Sequence, residues 1–330
     1  MNKNYLDKVQ IVTLNNEKFN GNSLDDFILN QNVTKCWRKV NDGYKLVDVR
    51  YIEDWNLSQR REMAQKVLSA IHGGDIALAA VIDNTVIGFA IVKKNFFGSE
   101  RQYVDLAEFY VSQPYRRYGI GKMLFKKVCC EAKNIGAKKL YISAHSAEES
   151  ISAYKKYGCV FAQEIDKAHV EKEPCDLQLE YDLTARIYQV ENKEKYIDLL
   201  LLADEQRDMV EKYLNDSVMY VIDDCGVKGE ITVTDATSGI LEIKNLAIYK
   251  EFKRQGYGRR LVEFICEKYK GLYTALQVGT GDSPLTLPFY QKCGFKISHT
   301  VKDFFINNYD HPIIEEGVQL KDMIYLIKNL

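Results

Sequence analysis

The chain contains two copies of one long motif, and this duplication constrains its fold more than any other feature. The segment YVDLAEFYVSQPYRRYGIGKMLF begins at Tyr103, and ILEIKNLAIYKEFKRQGYGRRLV begins 137 residues later at Ile240. A second pair, AYKKYGCVF from Ala153 and FYQKCGFKI from Phe289, follows at an offset of 136 residues. This period is too long for a solenoid repeat and matches the size of a domain. The sequence therefore predicts two similar domains.

Length, composition and charge agree with a folded two-domain protein. The 330 residues are 46% hydrophobic and 28% charged, with a formal net charge of −1. These are ordinary values for globular proteins. Without a global field to concentrate a polyanion, no nucleic-acid partner is expected. The sequence leaves the oligomeric state open.

The location is inferred from what the sequence lacks. The N-terminus MNKNYLDKVQ has no apolar run, and the longest uncharged apolar stretch, residues 76–82, is too short to span a bilayer. None of the eight cysteines forms a Cys-x-x-Cys pair, so no zinc site is expected. We therefore expect a cytoplasmic protein with no membrane partner and no metal.

Both halves alternate strands and helices in the same order. The first half predicts a hairpin over 76–93, strands over 103–112, 140–144 and 176–183, and helices over 119–136 and 149–157. The second half predicts a hairpin over 218–234, strands over 241–249, 272–278 and 323–327, and helices over 256–269 and 285–293. This order favours two α/β domains with mixed sheets, which we place at residues 1–183 and 184–330.

In each half the third strand runs through a glycine-containing turn directly into a helix. The first turn reads Arg116-x-x-Gly119-x-Gly121. Glycines let a ligand approach the backbone, and the N–H groups of the first helical turn favour an anion. The Walker and dinucleotide motifs do not match, because Met123 and Leu124 replace the residues that they require. The turn therefore predicts a pyrophosphate site of another kind, or a structural turn that ends the strand.

These motifs resemble the signatures of the GNAT superfamily of N-acetyltransferases. VSQPYRRYGIGKML is similar to its Arg/Gln-x-x-Gly-x-Gly/Ala acetyl-CoA signature, and Tyr154-x-x-x-Gly158 to its Tyr-x-x-x-Gly-Phe segment. The second half matches with Gly256, Gly258 and FYQKCGF, although Lys253 replaces the usual Arg or Gln. The resemblance implies two tandem GNAT-like domains, each a mixed, centrally splayed β-sheet flanked by helices.

The resemblance also implies acetyl-CoA as the cosubstrate. The glycine turns would hold its pyrophosphate, mainly through backbone N–H groups, at Arg116, Arg117, Tyr118, Gly119, Ile120, Gly121 and Lys122 and at Lys253, Arg254, Gln255, Gly256, Tyr257, Gly258 and Arg259. The pantetheine arm would pair like an added strand with the end of the third strand. The residues there are Phe109, Tyr110 and Val111 in the first half and Leu246, Ala247 and Ile248 in the second.

Acetyl transfer to an amine requires a base for the amine and an acid for the departing thiolate. The family tyrosine that commonly serves as the acid matches Tyr154 and Tyr290; the alternative for each is a core residue. Candidate bases come from comparing the two copies, because Asp105 and Glu242 stand at the same point of the third strand. Glu108 lies three residues after Asp105.

Three further features have a functional and a structural interpretation. Asn245 is the counterpart of Glu108 in the second half and could not act as a base. The candidate bases Asp105, Glu108 and Glu242 could instead be carboxylates exposed on the outer face of the sheet. His145 follows the strand over 140–144 and is another candidate base or a contact to the amine acceptor, or a histidine with a structural role. Residues 24–61, which contain both tryptophans, form either one wall of the acceptor pocket or extra strands over the core.

The segment from Asp303 to Gly317 is longer than a hairpin requires. It combines aromatic residues with Asp310, Glu315 and Glu316. Carboxylates and ring faces both attract cations, so the segment could cap a cationic amine. The alternative is a solvated surface loop.

Taken together, these residues predict an enzyme that acetylates a primary amine of a small molecule by direct attack. The alternatives are a non-catalytic regulatory module that binds acyl-CoA, or an acetyltransferase directed at proteins. We expect the first half to carry turnover, because Arg116 could contact phosphate as a fork and Lys253 could not. The first half also offers Asp105 and Glu108.

Overall fold

Each half of the chain builds its own mixed β-sheet around the strand that carries the duplicated motif. A computed structural model describes residues 8–40, 43–204, 206–237, 239–315 and 317–330. The chain separates into two units, residues 1–184 and 185–330. Each unit has a hydrophobic core of its own.

The first unit forms a seven-stranded sheet and a separate hairpin, with four α-helices among its described residues. Its strands are β1 (Gln10–Thr13), β2 (Gln31–Val40), β3 (Gly43–Glu53), β4 (Ile76–Ile82), β5 (Thr85–Val92), β6 (Tyr103–Val111), β7 (Lys139–Ala144), β8 (Val160–Phe161) and β9 (Leu177–Asp182). Its helices are α1 (Leu57–His72), α2 (Ile120–Asn134), α3 (Glu148–Tyr157) and α4 (Lys167–Lys172). The sheet order is β1-β4-β5-β6-β7-β9-β8, and β2 pairs with β3.

The second unit has the same sheet plan. Its strands are β10 (Arg186–Val190), β11 (Val218–Asp223), β12 (Val227–Thr237), β13 (Ile240–Ile248), β14 (Ala275–Gly281), β15 (Lys296–Val301), β16 (Ile314–Glu315), β17 (Val318–Gln319) and β18 (Met323–Asn329). Its helices are α5 (Ile197–Leu200), α6 (Arg207–Leu214), α7 (Tyr257–Tyr269), α8 (Thr286–Lys292) and α9 (Phe304–Asn308). The sheet order is β10-β11-β12-β13-β14-β18-β15, and β16 pairs with β17.

The motif strand of each sheet pairs with its parallel neighbour over only part of its length. In β6 this pairing to β7 covers residues 103–105, and in β13 the pairing to β14 covers residues 240–243. Just beyond, a register shift leaves Ala107 and Lys244 without an opposite residue, as in a β-bulge. The sheet therefore splays at the same place in both units, as the family resemblance implies.

Alternation along β6, β7 and β9 gives this part of the first sheet one apolar and one polar face, whereas β4 and β5 are buried on both faces. The apolar face packs on Leu124, Phe125 and Val128 of α2 and contributes Val104, Leu106, Leu140, Ile142, Leu177 and Leu179. Burying a side chain of this size contributes about 1.5–3 kcal/mol, so this face holds the sheet on its helix. Successive residues point to opposite faces, and the polar face therefore contains Asp105, Glu108, Tyr110, Tyr141, Ser143 and Gln178.

Several elements differ from the sequence prediction. The predicted elements include neither α1, the 16 residues from Leu57 to His72, nor the short elements β1, α4, α6 and β10. The strand expected over 272–278 begins at Ala275 instead, because Leu272 is exposed in the preceding turn. The segment over 24–61 contains the hairpin of β2 and β3, with residues 41 and 42 outside the described residues.

Candidate active site

The two glycine turns have the same backbone conformation. Arg117 and Arg254 have φ of 65° and 63°, and Gly119 and Gly256 both have φ of 86°. Gly119 and Gly256 are the N-cap residues of α2 and α7, and no described side chain caps either helix. A Cβ atom at either glycine would meet nothing within 4 Å. Each turn therefore presents first-turn N–H groups to an open surface, where an anion can bind.

The second glycine of each turn lies in a closer environment. A Cβ atom at Gly121 would lie 2.5 Å from the Tyr157 hydroxyl of α3, and one at Gly258 would lie 3.3 Å from Phe289 of α8. These glycines therefore let α2 and α7 pack closely on the following helix. Close packing is a reason for glycine that the sequence motif did not reveal.

Most side chains around the turns bind neighbours in their own unit. In the second unit Tyr257 donates to Asp224 (2.8 Å), Gln255 to the Glu251 carbonyl and Arg259 to the Lys292 carbonyl. In the first unit the Arg117 side chain lies 3.3 Å from that of Glu149, and Ile120 is buried. The side chains of Tyr118, Lys122 and, in the second unit, Lys253 are exposed. The backbone is therefore the part that the two turns share.

The Arg116 side chain binds the protein instead of facing the turn. Its guanidinium donates to the carbonyl oxygens of Val111 (2.9 Å), Leu29 and Asn30 (3.4 Å). Burial lowers the pKa of Arg116. Arg116 thus joins the end of β6 to residues 29 and 30, and this position does not favour the phosphate fork expected from the sequence.

The strand ends expected to hold the pantetheine arm lie beyond the splay. Phe109, Tyr110 and Val111 pair with β5, and Leu246, Ala247 and Ile248 pair with β12. None of these six residues pairs with the parallel neighbour β7 or β14. Both strands therefore keep an edge that an extended ligand could pair with.

Asp105 is paired with a histidine that the sequence did not connect to it. Its carboxylate lies 3.3 Å from Nε2 of His169 in α4, and Nδ1 of His169 lies 2.6 Å from Asp166. The hydrogen bond that His169 donates to Asp105, and then the one to Asp166, raises the pKa of His169 to about 9. The ring also stacks on Phe97. Asp105 therefore neutralises a cation, which reduces its suitability as a base.

Replacing His169 with Gln is expected to destabilise the first unit most at low pH. A histidine whose pKa is raised on folding stabilises the fold fully below its unfolded value of about 6.5, and this is lost as pH rises through about 9. The difference in free energy of unfolding between wild type and variant should be on the order of 2 kcal/mol near pH 6 and much smaller above pH 9.

Urea unfolding followed by tryptophan fluorescence measures this difference, because both tryptophans, Trp37 and Trp55, lie in the first unit. A difference that stays constant across this pH range would contradict the ion pair.

The carboxylate of Glu108 is more available to a substrate than that of Asp105. It lies on β6 after the bulge, on the polar face, and its closest cation is Lys66 of α1 at 3.6 Å. Burial raises the pKa of Glu108, and the charges of Lys66 and Lys172 oppose this shift. A carboxylate with a raised pKa holds a proton more readily than an exposed one, which suits a general base.

Tyr154 lies in an aromatic cluster on the other face of β6. Its ring centroid is 6.0 Å from that of Phe109 and 6.4 Å from that of Phe125. Burial raises the pKa of Tyr154 well above its usual value, and Cys159 and Tyr110 add to the shift. The phenol therefore stays protonated at neutral pH and can donate a proton.

Two of the corresponding side chains in the second unit, Glu242 and Asn245, bind neighbouring groups, although Asn245 Oδ1 has no partner among the described residues. Glu242 binds Lys244 at 2.7 Å and accepts from Gln277 at 3.4 Å. Asn245 donates to the Leu200 carbonyl (3.0 Å) and to the Tyr213 hydroxyl (2.9 Å). Tyr290 is buried, and burial raises its pKa. Glu242 therefore resembles Asp105 in having a cation beside it.

One carboxyl of the second unit was missed in the sequence. Glu230 on β12 is fully buried, accepts hydrogen bonds from Thr232 (2.7 Å) and from the Ala247 N–H (3.0 Å), and burial raises its pKa to about 8. The segment VKGEITV gave no signal of this burial, because Glu230 alternates with apolar residues in register with Lys228 and Thr232. Glu230 is thus a titratable group next to the end of β13.

The hairpin of β2 and β3 packs against the end of β7. The backbone N–H of Trp37 donates to the Ser146 carbonyl (2.8 Å), and the Tyr51 hydroxyl lies 3.0 Å from Nε2 of His145. The hairpin forms a sheet of its own and does not extend the seven-stranded sheet. This position favours the interpretation of residues 24–61 as a wall beside the splay.

The segment from Asp303 to Gly317 is folded around a small core of its own. Phe305 of α9, Ile313 and Leu320 are buried together, and the Tyr309 hydroxyl donates to Asp204. A cavity of about 200 Å³ lies beside them, lined in part by Asp310 and His311. Glu316 lies outside the described residues.

The described residues show neither a metal-binding cluster nor a membrane-spanning helix. No group of three or more His, Cys, Asp or Glu residues there has the arrangement to hold a metal ion. No helix of the described chain combines the length and apolar character needed to cross a membrane.

Known protein families match both units. Residues 40–159 match the family model of the acetyltransferase (GNAT) family, and residues 215–297 match that of the acetyltransferase (GNAT) domain. A curated relative, the uncharacterized N-acetyltransferase YvbK of Bacillus subtilis, is 36% identical over 145 residues, which cover 42% of this chain and 92% of the relative.

Solved structures are also similar to part of the chain. The IAA acetyltransferase of Bacillus cereus is 33% identical with a TM-score of 0.43, and covers 44% of this chain and 100% of its own. A GNAT family acetyltransferase of Elizabethkingia anophelis, solved with acetyl-CoA bound, is 34% identical with a TM-score of 0.42, and covers 44% of this chain and 98% of its own.

Proposed function

Because the chain belongs to the GNAT acetyltransferase family, with two tandem domains of that kind, we propose that it moves an acetyl group from acetyl-CoA to a primary amine of a small molecule. The observation that carries the proposal is Glu108, a carboxylate on the polar face just past the splay of β6. We assign the reaction to the first unit and keep the cytoplasm as its proposed location.

The first unit offers a suitable place for acetyl-CoA. The open turn at Gly119 would hold the pyrophosphate through backbone N–H groups, and the free edge of β6 at residues 109–111 would hold the pantetheine arm. Acetyl-CoA supplies the acyl group as a thioester. The role of the chain is to hold it beside the acceptor nitrogen and to move two protons.

Glu108 is our proposed general base. An amine with an ordinary pKa near 10.4 is almost entirely protonated at neutral pH and must lose a proton before its nitrogen can attack the acyl carbon. Glu108 takes this proton directly or through one water. We prefer it to Asp105, whose carboxylate already binds His169.

Tyr154 is our proposed general acid. As the bond between the acyl carbon and sulfur breaks, the sulfur gains a negative charge, and the phenol of Tyr154 supplies its proton. The raised pKa of Tyr154 keeps that proton in place before the reaction. The hydroxyl is later reprotonated from solvent.

We propose the first unit as the active one because the described residues of the second unit include no available carboxylate at the positions of the two base candidates. Asn245 replaces Glu108 and cannot accept a proton, and Glu242 is paired with Lys244. The wall formed by β2 and β3, next to His145, supports a small acceptor molecule.

The function is tested by incubating the full chain with acetyl-CoA and a panel of primary amines. Release of the CoA thiol and the mass of the acetylated amine are measured together. Product from at least one amine is expected, whereas hydrolysis of acetyl-CoA without any acetylated amine would contradict the proposal.

Replacing Gly119 with Val is expected to weaken coenzyme binding to the first unit by more than about tenfold. The substitution forces a left-handed residue out of its conformation (φ 86°) and so disturbs the N–H groups of the turn. Gly256→Val should do the same in the second unit. Isothermal titration with CoA measures both sites.

Gly136→Val is the matched control, because Gly136 also has positive φ (92°) and open space but lies after the far end of α2. It should strain the fold similarly and leave the affinity for CoA unchanged. Equal losses of affinity in Gly119→Val and Gly136→Val would show that strain, and not the anion site, is responsible.

A further inference from the structure

The polar face of the first sheet continues on the far side of the splay. There Ser143 of β7 pairs with Gln178 of β9, and Asp176 lies just before β9. The Gln178 Nε2 donates to Ser143 Oγ (3.0 Å) and to the Asp176 carbonyl (3.4 Å), and Ser143 Oγ lies 3.5 Å from the Asp176 carboxylate. These three side chains form one cluster across the opening from Glu108.

Gln178 is incompletely satisfied in this cluster. The residue is 5% exposed, and its Oε1 has no hydrogen-bond partner among the described residues. Buried amide oxygens in folded proteins nearly always accept a hydrogen bond. Since Nε2 faces Ser143 and the Asp176 carbonyl, the oxygen is left to accept from a group that the described residues do not supply.

The cluster also carries a carboxyl group that no described lysine or arginine pairs with. No described Lys or Arg forms an ion pair with Asp176, and burial raises the pKa of its carboxyl. Glu173 and Glu53 raise this pKa further, whereas His145 lowers it. A carboxylate in such surroundings is stabilised when a cation arrives.

We infer that Asp176 and Gln178 form a subsite for a second protonated nitrogen of the acceptor, so that the substrate is a diamine or a similar molecule with two cationic groups. The inference rests on the proposed function, in which Glu108, across the splay, takes the proton from the nitrogen that is acetylated. The subsite would bind through the Asp176 carboxylate and Gln178 Oε1.

The chemistry of the two acceptor atoms favours a cation over a neutral group. An ammonium or guanidinium nitrogen can donate to both oxygens at once, and charged donors make the stronger hydrogen bonds. A neutral hydroxyl has one proton to donate and would leave one of the two oxygens without a partner. The second nitrogen therefore improves binding without taking part in the reaction.

The test compares amines of equal chain length with and without the second nitrogen. 1,3-Diaminopropane, 1,4-diaminobutane and 1,5-diaminopentane are paired with 1-aminopropane, 1-aminobutane and 1-aminopentane, and kcat/KM is measured with the full chain and acetyl-CoA. We expect at least one diamine to exceed its monoamine by about 10- to 100-fold. Asp176→Asn and Gln178→Met should each reduce this ratio and leave kcat/KM for the monoamine nearly unchanged.

Glu171→Gln is the control, because it removes the same charge from an exposed position on α4. It should preserve the preference for diamines. Equal kcat/KM for diamines and monoamines, or equal losses for both in Asp176→Asn, would overturn the subsite while the acetylation itself upholds the proposed function.

If no amine is acetylated, the proposed function fails, and the subsite is judged by binding alone. Calorimetry of the full chain in the presence of CoA then compares 1,4-diaminobutane with 1-aminobutane. Tighter binding of the diamine that is lost in Asp176→Asn supports the subsite, and equal affinities overturn it.

Discussion

Glu108→Gln is expected to lower kcat for amine acetylation by about 10²- to 10⁴-fold, the usual effect of losing a general base. Gln keeps the size and most hydrogen bonds of Glu but cannot accept a proton at neutral pH. The affinity for acetyl-CoA should change little, because the coenzyme is proposed to bind the backbone of the Gly119 turn and the edge of β6.

The pH dependence gives an independent test of the same role. Burial raises the pKa of Glu108 above its ordinary value of 4.5, so activity should fall as pH decreases through this raised value. In Glu108→Gln that acidic limb should disappear from the profile of kcat/KM. A variant that retains its acidic limb and at least about a third of wild-type kcat would exclude Glu108 as the base.

Tyr154→Phe is expected to lower kcat by about 10²-fold, because the departing sulfur would lose its proton donor. Tyr290→Phe should have a smaller effect, since the base candidates of the second unit are paired or replaced. Both are measured with one acceptor at saturating acetyl-CoA. The reverse order of effects would move the active site to the second unit.

Tyr157→Phe is the matched control for this comparison. Tyr157 lies on the same helix as Tyr154 and stacks on the same Phe125 ring, at 4.9 Å between centroids. It should lose little activity. Similar losses in Tyr154→Phe and Tyr157→Phe would indicate damage to the aromatic cluster and not the loss of an acid.

The duplicated architecture could be predicted from the sequence because its signals are local. The turn at Gly119 depends on a glycine between a strand and a helix, and its copy at Gly256 has the same φ of 86°. The splay also appears in both sheets, at Ala107 and Lys244, 137 residues apart. Two similar segments of one chain fold alike because the turn and the strand in each depend on interactions between residues close together in the sequence.

Side-chain partners, in contrast, were decided by the tertiary structure. Asp105 meets His169 only because α4 folds back beside β6, and Arg116 binds Leu29 and Asn30 across a separation of more than eighty residues. Such contacts join segments that no local pattern connects, and they determine which charges are neutralised.

The sequence by itself determined the repeat, the order of the strands and helices around the two motifs and the position of the two glycine turns, since periodicity and glycine act over a few residues. The choice between Asp105 and Glu108, and the cluster of Asp176 and Gln178, depended on the tertiary structure. Whether a carboxylate is paired, buried or available depends on groups brought to it from distant parts of the chain.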